Sequence, residues 1–247
     1  MMNKIQFIFA KNRHDSSRVH PYFAEEAEAM RKLGLSVSIE PDEQAERLIY
    51  RGTMMWKETD YPQDSRYIQS WKEYISASLL SVYYPFIEDI SIPTFFVDTL
   101  DNNTIEQIKQ HQWDRVFIKN DIKSLWSIDE YASVWPDRSL EYMKEKFQVF
   151  PWNGKYAIRK FIEPNTFFNE DRYWVLNGRI YHRSNNIPDI VVEAAKRLSV
   201  LGSKYYVIDA LPNMIVEVNP GESSDRYGDN PPELFAQWFK DAFCDNP

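Results

Sequence analysis

The sequence predicts an α/β (α+β) protein with a small α/β domain at its N-terminus. Two observations lead to this prediction. The chain begins with strand, helix and strand patterns in alternation, and its C-terminal half contains two β-hairpin patterns on either side of an amphipathic helix. Alternating β and α segments are typical of a parallel sheet covered by helices, whereas turn residues between two β-rich runs indicate hairpins.

Composition narrows the class of protein. The chain has 247 residues, of which 43% are hydrophobic, and this length suits one large domain or two small ones with a real core. The net charge of −8 and the lack of a basic run disfavour a nucleic-acid partner. No stretch approaches the ~20 apolar residues of a membrane span, and the N-terminus lacks a signal-peptide core. We therefore expect a cytoplasmic protein with no membrane partner.

The first third of the chain has the pattern of a small α/β unit. Its predicted elements are a strand at residues 4–10, a helix at 22–33, and strands at 36–40 and 47–51. Gly34 is well placed as the C-cap of the helix, because glycine readily adopts the left-handed conformation at this position. This order predicts a small parallel sheet.

A soft domain boundary follows an aromatic-rich segment. Residues 67–84 predict a helix that ends before Pro85, and the composition is loop-like from there to Pro93. We therefore expect an N-terminal α/β domain at residues 1–88 and a second domain at residues 89–247.

The middle of the second domain carries lysines at positions that suit phosphate binding. Its predicted elements are a helix at 105–112, a strand at 115–119, a helix at 139–147, a strand at 156–163 that Pro164 ends, and a helix at 189–201 that Gly202 caps. Lys119 follows three apolar residues and is lifted out of the sheet, and Lys123 lies in the loop after it. Both side chains can reach phosphate oxygens, although Lys123 can instead extend into solvent.

The first hairpin, at residues 171–184, carries arginines. Asn177-Gly178 is typical of a two-residue type I′ turn. This turn pairs residues across the hairpin as follows: Leu176 with Arg179, Trp174 with Tyr181, and Arg172 with Arg183. Like charges placed opposite each other are unfavourable unless an anion lies between them, and arginine suits phosphate geometry. The alternative is a solvated face whose arginines pair with acids elsewhere.

The second hairpin, at residues 207–221, carries acids. If its loop is residues 212–214, Asp209 lies opposite Glu217, and Asn219 shares their face. Opposed carboxylates repel, and a bound cation removes that penalty; such oxygen ligands suit Mg²⁺. A two-residue turn would instead place the two acids on different faces. The other face would pack through Tyr206, Ile208, Ala210, Val216 and Val218.

Several standard sites are absent from the sequence. The seven glycines form neither a dinucleotide fingerprint nor a P-loop, and no nucleophile-elbow pattern is present. The four histidines show no ligand spacing, and the single cysteine, Cys244, excludes an internal disulfide.

The order of these parts resembles the ATP-grasp superfamily. The matching segments are Val-Phe-Ile-Lys-Asn-Asp (116–121), Ile-Arg-Lys-Phe-Ile-Glu-Pro (158–164), Asp-Arg-Tyr-Trp-Val-Leu-Asn-Gly-Arg (171–179), and Ile-Asp-Ala with Glu-Val-Asn-Pro-Gly (208–221). The resemblance implies an ATP-grasp fold preceded by a small α/β domain, with ATP and Mg²⁺ as cofactors. The sequence departs from the family at two places. Residues 120–124 occupy the position of the family's glycine-rich flap over the phosphates, and Lys160 occupies a hinge position where relatives often have an acid.

The resemblance also implies roles for the candidate residues. Those expected to bind ATP are Lys119 and Lys123 at the phosphates, together with Arg159, Lys160, Phe161 and Ile162 around the hinge strand. Arg172, with Arg183, is expected to support the transferring phosphoryl group. The expected Mg²⁺ ligands are Asp209, Glu217 and Asn219.

The implied activity is that of an ADP-forming carboxylate–amine ligase. A substrate carboxylate would attack the γ-phosphate of ATP, and an amine would capture the resulting acylphosphate. The expected partner is a small molecule, such as an amino acid, or a peptide. Two alternatives remain open: an ATP-dependent phosphotransferase acting on a small molecule, and a non-catalytic nucleotide-binding module.

Overall fold

Three β-sheets form the framework of the part of the chain described in the computed structural model, namely residues 5–126, 128–129, 131–150, 154–163, 170–184, 186–226 and 230–245. The strands are β1 (Ile5–Phe9), β2 (Ser36–Ser38), β3 (Arg47–Arg51), β4 (Thr94–Val97), β5 (Val116–Asn120), β6 (Val134–Trp135), β7 (Tyr156–Lys160), β8 (Asp171–Leu176), β9 (Arg179–Tyr181), β10 (Tyr205–Leu211) and β11 (Met214–Pro220). The α-helices are α1 (Ala24–Lys32), α2 (Trp71–Ser78), α3 (Leu80–Ile87), α4 (Asn102–Gln110), α5 (Leu140–Phe147), α6 (Asp189–Leu198) and α7 (Pro232–Phe239).

The first sheet is the predicted parallel one. Its order is β2-β1-β3, and both pairings are parallel. Helix α1 connects β1 to β2, and Gly34 follows it with a φ of 77°, which confirms the expected left-handed C-cap region.

The predicted helix at residues 67–84 is wrong in its bounds. The chain forms two helices, α2 and α3, with an extended Leu79 between them, and Pro85 lies inside α3. Asp121 is the physical reason, because it caps α3 from a distant loop. Its backbone carbonyl accepts from the N–H of Leu80 at 2.9 Å, and its carboxylate accepts from the N–H of Ser81 at 2.7 Å.

The second and third sheets are antiparallel. The second has the order β4-β7-β5-β6, and the third has the order β11-β10-β8-β9. The sequence patterns did not predict β4, which pairs with the distant β7, or the short β6, which pairs with β5. The strand predicted at 156–163 is shorter than expected and ends at Lys160, whereas Pro164 lies outside the described residues.

Apolar cores cover both faces of the third sheet. One face packs against α3 and α6 through Tyr206, Ile208, Ala210 and Val218, which are four of the five residues predicted for it. The fifth, Val216, instead packs in a separate cluster with Ile92 and Leu211. The other face packs against the first sheet and α7 through Trp174, Leu176, Tyr205 and Val207. A further core joins the second sheet to α4 and α5. The first sheet thus shares a core with the third, and the boundary between residues 1–88 and 89–247 stays a prediction.

Every helix among the described residues is too short or too polar to cross a membrane.

A buried acid lies just after β11, where the end of this strand contacts the N-terminal part of the chain. Glu222 is 1% exposed, and its Oε1 accepts from Gln69 Nε2 at 2.8 Å and from the Tyr61 hydroxyl at 3.2 Å. Its other oxygen has no hydrogen-bond partner among the described residues. Burial raises the pKa of Glu222 to about 8. The folded protein therefore favours the neutral acid at this position.

The raised pKa predicts that stability depends on pH. Between the ordinary value of 4.5 and about 8, the folded protein keeps a proton that the unfolded chain releases. The free energy of unfolding should therefore fall as pH rises through this window, by up to about 1.4 kcal/mol per pH unit. Urea denaturation at a series of pH values should show that Glu222→Gln flattens this slope.

The exposed Glu106 on α4 provides the matched control, since Glu106→Gln should leave the slope unchanged. A wild-type slope retained in Glu222→Gln would contradict the assignment of the proton to Glu222.

Candidate functional site

The two acids of the second hairpin lie opposite each other, as predicted, but the turn that brings them there is different. Residues 212–213 form a two-residue turn, with Leu211 paired to Met214. A β-bulge then shifts the register, so that Asp209 pairs with Glu217. The expected three-residue loop is therefore wrong, and Val216 is the extra residue that restores the pairing.

The bulge is held from the neighbouring sheet by a buried arginine. Arg159 is 4% exposed, and its Nη2 donates to the carbonyl oxygen of Val216 at 2.6 Å, while its Nε donates to the Thr94 hydroxyl at 3.2 Å. Burial lowers the pKa of Arg159 from its ordinary value. Arg159, expected to bind ATP, is thus placed behind the acids, where it supports β11.

The amide and the two acids meet on one face of the hairpin. Asn219 Nδ2 lies 2.9 Å from Glu217 Oε1 and 3.3 Å from Asp209 Oδ2. Asp209 is 1% exposed. The three predicted metal ligands therefore come together, with oxygen donors from a carboxylate, a second carboxylate and an amide.

Arg172 lies beside Asp209 on the adjacent strand. The two residues are paired across β8 and β10, and Arg172 donates to both carboxylate oxygens of Asp209 at 2.7 Å. Its Nη1 also donates to Asp225 Oδ1 at 2.7 Å. One guanidinium thus bridges two carboxylates, which gives it a fixed orientation in the site.

The predicted opposition of Arg172 and Arg183 is not formed by the strands. The Asn177-Gly178 turn is present, with φ values of 49° and 77° as a type I′ turn requires, and it sets the predicted pairing of Trp174 with Tyr181. However, β9 ends at Tyr181. Arg183 is exposed, and its Nη2 lies 3.4 Å from Asp171 Oδ1.

Two lysines enter the site from the second sheet. Lys119 is 4% exposed, and its Nζ donates to Glu217 Oε2 at 2.9 Å. The chain then turns tightly, because the Asn120 side chain accepts from the N–H groups of Ile122 and Lys123. Lys123 is half-buried near the same group, and burial, with the charges of Lys119 and Arg172, lowers its pKa. Lys123 is therefore within electrostatic range of Glu217 and is not fully extended into solvent.

The hinge residues make backbone and packing contacts of their own. Lys160 is exposed, and its N–H donates to the Pro93 carbonyl at 2.9 Å. The N–H of Phe161 donates to the Arg115 carbonyl at 3.2 Å, and the Arg115 guanidinium lies 4.0 Å from the Phe161 ring centroid. Ile162 packs in a small apolar cluster with Val216 and others. Two backbone donors of the segment are thus used within the fold.

The charges of the site balance through these contacts. Burial raises the pKa of Asp209, and Arg172 opposes that rise. Burial acts in the same direction on Glu217, but Lys119, Asn219 and Lys123 outweigh it and hold the pKa of Glu217 below its ordinary value. The site thus presents the ionised carboxylate of Glu217 and the carboxyl group of Asp209 beside cations, an arrangement that can hold a metal and phosphate groups together.

Two residues that the sequence reading missed complete the site. Asp225 contacts Arg172, and the Tyr22 hydroxyl, from the N-terminal unit, donates to Asp225 Oδ2 at 2.9 Å. Asp225 lies in no periodic or motif-like stretch, and Tyr22 only begins the segment predicted as a helix, so no local signal marks either as a site residue.

Comparisons with known proteins relate this geometry to a fold. No protein-family model and no curated protein sequence matches the chain. D-cycloserine synthetase DcsG is 15% identical, with a TM-score of 0.62 over 94% of this chain and 97% of that one.

Two further solved structures are similar over nearly the whole chain. The macrocyclase MdnC from Microcystis aeruginosa MRC, bound with precursor peptide MdnA, is 10% identical, with a TM-score of 0.58 over 95% of this chain and 99% of that one. The ATP-grasp ligase PsnB, complexed with minimal precursor, Mg and ADP, is 9% identical, with a TM-score of 0.57 over 97% and 98%. At such low identities the likeness establishes a shared fold and no more.

The Arg172–Asp209 pair should be strongly coupled in stability. Arg172→Ala leaves the buried Asp209 carboxylate without its bidentate partner, so we expect a loss of roughly 3–5 kcal/mol in the free energy of unfolding. Adding Asp209→Ala should recover a large part of that loss. A double-mutant cycle measured by urea denaturation provides the coupling energy, and additive losses would show that the pair is not coupled.

Proposed function

We propose that this chain, which has the ATP-grasp fold, is an ATP-dependent, ADP-forming carboxylate–amine ligase that works through an acylphosphate. The resemblance found in the sequence is confirmed at the level of the fold. The observation that supports the activity is the meeting of Asp209, Glu217 and Asn219 with two cations, Lys119 and Arg172. PsnB, with the same fold, is described as a ligase in complex with Mg and ADP.

The oxygen donors of the site fit Mg²⁺. Among the described residues, no three or more His, Cys, Asp or Glu side chains gather to hold a metal, and the candidate set is two carboxylates and one amide. Mg²⁺ is commonly held by one or two carboxylates together with substrate phosphates, so Asp209, Glu217 and Asn219 suit a magnesium–nucleotide complex. When bound, Mg²⁺ supplies neutralisation of charge on the phosphates and on the leaving ADP.

The cations of the site are proposed to bind the phosphates. Lys119 and Lys123 lie beside Glu217, where their charges can contact the β- and γ-phosphates. Arg172 is proposed to hold the phosphoryl group during transfer. Arg183, with Asp171, remains a candidate at the outer end of β8.

The adenine is proposed to lie against the segment 160–162. Because the N–H groups of Lys160 and Phe161 bond within the fold, adenine recognition falls to the N–H of Ile162 and to carbonyl groups of this segment. Arg159 acts from behind, by keeping β11 in register.

The proposed reaction needs positioning and charge neutralisation, and no side-chain nucleophile. An oxygen of the substrate carboxylate forms a bond to the γ-phosphorus, and the bond from that phosphorus to the bridging oxygen of ADP breaks. The amine nitrogen then bonds to the acyl carbon, phosphate leaves with the former carboxylate oxygen, and the nitrogen loses a proton. Lys119 and Arg172 are proposed to bind the charged phosphoryl oxygens in both steps.

The structural neighbours suggest two classes of substrate. MdnC and PsnB were solved with precursor peptides, and DcsG is named for a small-molecule product. We propose a small molecule or a peptide as substrate, and cytoplasmic action. Division into residues 1–88 and 89–247 remains part of the proposal.

An isotope experiment separates the ligase from its alternatives. The protein is mixed with ATP, Mg²⁺ and pools of amino acids and peptides whose carboxylates carry ¹⁸O, and ADP, phosphate and new products are analysed by mass spectrometry. ¹⁸O in the released phosphate together with a new amide supports the ligase. A phosphorylated product without free phosphate supports the phosphotransferase, and no Mg²⁺-dependent ADP would leave only the non-catalytic module.

Glu217→Gln should abolish most of the Mg²⁺-dependent ADP formation. The amide keeps the size of the side chain but loses the charge that the metal needs, so we expect kcat to fall about 100-fold or more. Glu106→Gln, at an exposed position on α4, should leave the rate unchanged. Wild-type turnover in a folded Glu217→Gln protein would remove Glu217 from the metal site.

A further inference from the structure

A fully buried arginine in the N-terminal sheet holds the main chain next to the proposed metal ligands. Arg51 ends β3 and is 0% exposed. Its Nη1 donates to the carbonyl oxygen of Gly221 at 2.6 Å and to that of Ser224 at 2.8 Å. These carbonyl groups belong to residues 220–224, the segment that directly follows Asn219. One guanidinium thus joins the first sheet to the end of β11.

The buried charge of Arg51 is compensated on every side. Its Nε donates to Glu26 Oε2 at 2.9 Å, and its Nη2 donates to Glu26 Oε1 at 2.7 Å. The rings of Phe23, Trp174 and Phe235 have their centroids 5.0, 5.4 and 5.2 Å from the guanidinium carbon. A planar fork can bind a carboxylate with one edge and carbonyl oxygens with another, whereas the single ammonium of lysine cannot.

Other contacts also fix the backbone of segment 220–224. The N–H of Gly221 donates to the Tyr205 carbonyl at 3.0 Å, and the N–H of Gly52 donates to the Glu222 carbonyl at 2.8 Å. A Cβ at Gly221 would lie 2.2 Å from the Tyr205 ring, so only glycine fits there. The segment is therefore pinned between β10 on one side and the end of β3 on the other.

Both ends of this segment touch the proposed ATP–magnesium site. Asn219, just before it, bonds to Glu217, and Asp225, just after it, bonds to Arg172. Arg51 binds carbonyl groups between these two ends. A change in where the guanidinium holds the backbone therefore moves a metal ligand and a partner of Arg172 together.

We propose that Arg51 is a positioning residue of the ATP–magnesium site: by holding the Gly221 and Ser224 carbonyl groups, it sets where Asn219 and Asp225 lie. The proposal rests on the proposed function of that site. It makes the N-terminal unit a part of metal binding, although no residue of that unit is a ligand.

Two variants and one control test the role. Arg51→Lys keeps the charge and loses the fork. The double variant Glu26→Leu with Arg51→Met replaces the buried pair by apolar side chains, an exchange that is often neutral or stabilising for folding. Arg66→Lys is the control, because Arg66 also donates to two carbonyl groups, those of Asp42 and Ala45, but lies away from β11.

Two measurements are made on each protein. Isothermal titration of a Mn²⁺–ATP analogue measures the Kd of the loaded site, and hydrogen exchange measures protection of the Gly221 amide without any nucleotide. We expect both Arg51 variants to raise the Kd by about 10-fold or more and to speed exchange at Gly221, as outer partners of metal ligands do. Arg66→Lys should change neither.

The outcomes separate this role from the proposed function. A wild-type protein that binds no Mn²⁺–nucleotide overturns the proposed function and the site that Arg51 would serve. A wild-type protein that binds, with folded Arg51 variants that bind equally well, overturns the positioning role alone. Equal weakening by Arg66→Lys would assign the effect to general loss of stability and would also overturn the role.

Discussion

Two carboxylates opposed across one hairpin impose the main constraint on this structure. Asp209, which is buried, and Glu217, which is half-buried, lie opposite each other, and like charges in such a setting repel unless each has a counter-charge. Arg172 reaches Asp209 from the neighbouring strand, and Lys119 reaches Glu217 from a different sheet. Because the two cations come from two sheets, the charge balance also holds the second sheet against the third. The same ion pairs therefore stabilise both the site and the relative placement of the two sheets.

The opposition itself was predictable from the sequence, but its cause was not. In a regular hairpin, only a three-residue loop at residues 212–214 would pair Asp209 with Glu217. The chain instead uses a two-residue turn and a bulge at Val216, whose carbonyl group bonds to Arg159. Arg159 lies on another sheet, and no local pattern on β11 reveals it. A tertiary contact thus produced the register that turn chemistry alone would have excluded.

The same distinction separates the other predictions that hold from those that fail. The Asn177-Gly178 turn was predictable because both residues accept positive φ, a property of the residues themselves. The break before α3 was not, because Asp121 supplies the cap from a loop that is far away in sequence. Arg51 and Asp225 are single residues at an element end and in a loop, where periodicity carries no information. Local chemistry predicted the elements; long-range polar contacts decided how the site is held.

The energetic cost of the site bears on the choice between an enzyme and a non-catalytic module. Buried ion pairs such as Arg172–Asp209 can often be replaced by apolar side chains at little or no loss of stability. A module that needed only the fold would therefore gain nothing from keeping two opposed acids, an amide and two cations in contact. The proposed binding of Mg²⁺ and phosphate would use all of them, because the acids would hold the metal and the cations would hold the phosphates. The charge arrangement thus supports the proposed function over a module that keeps only the fold.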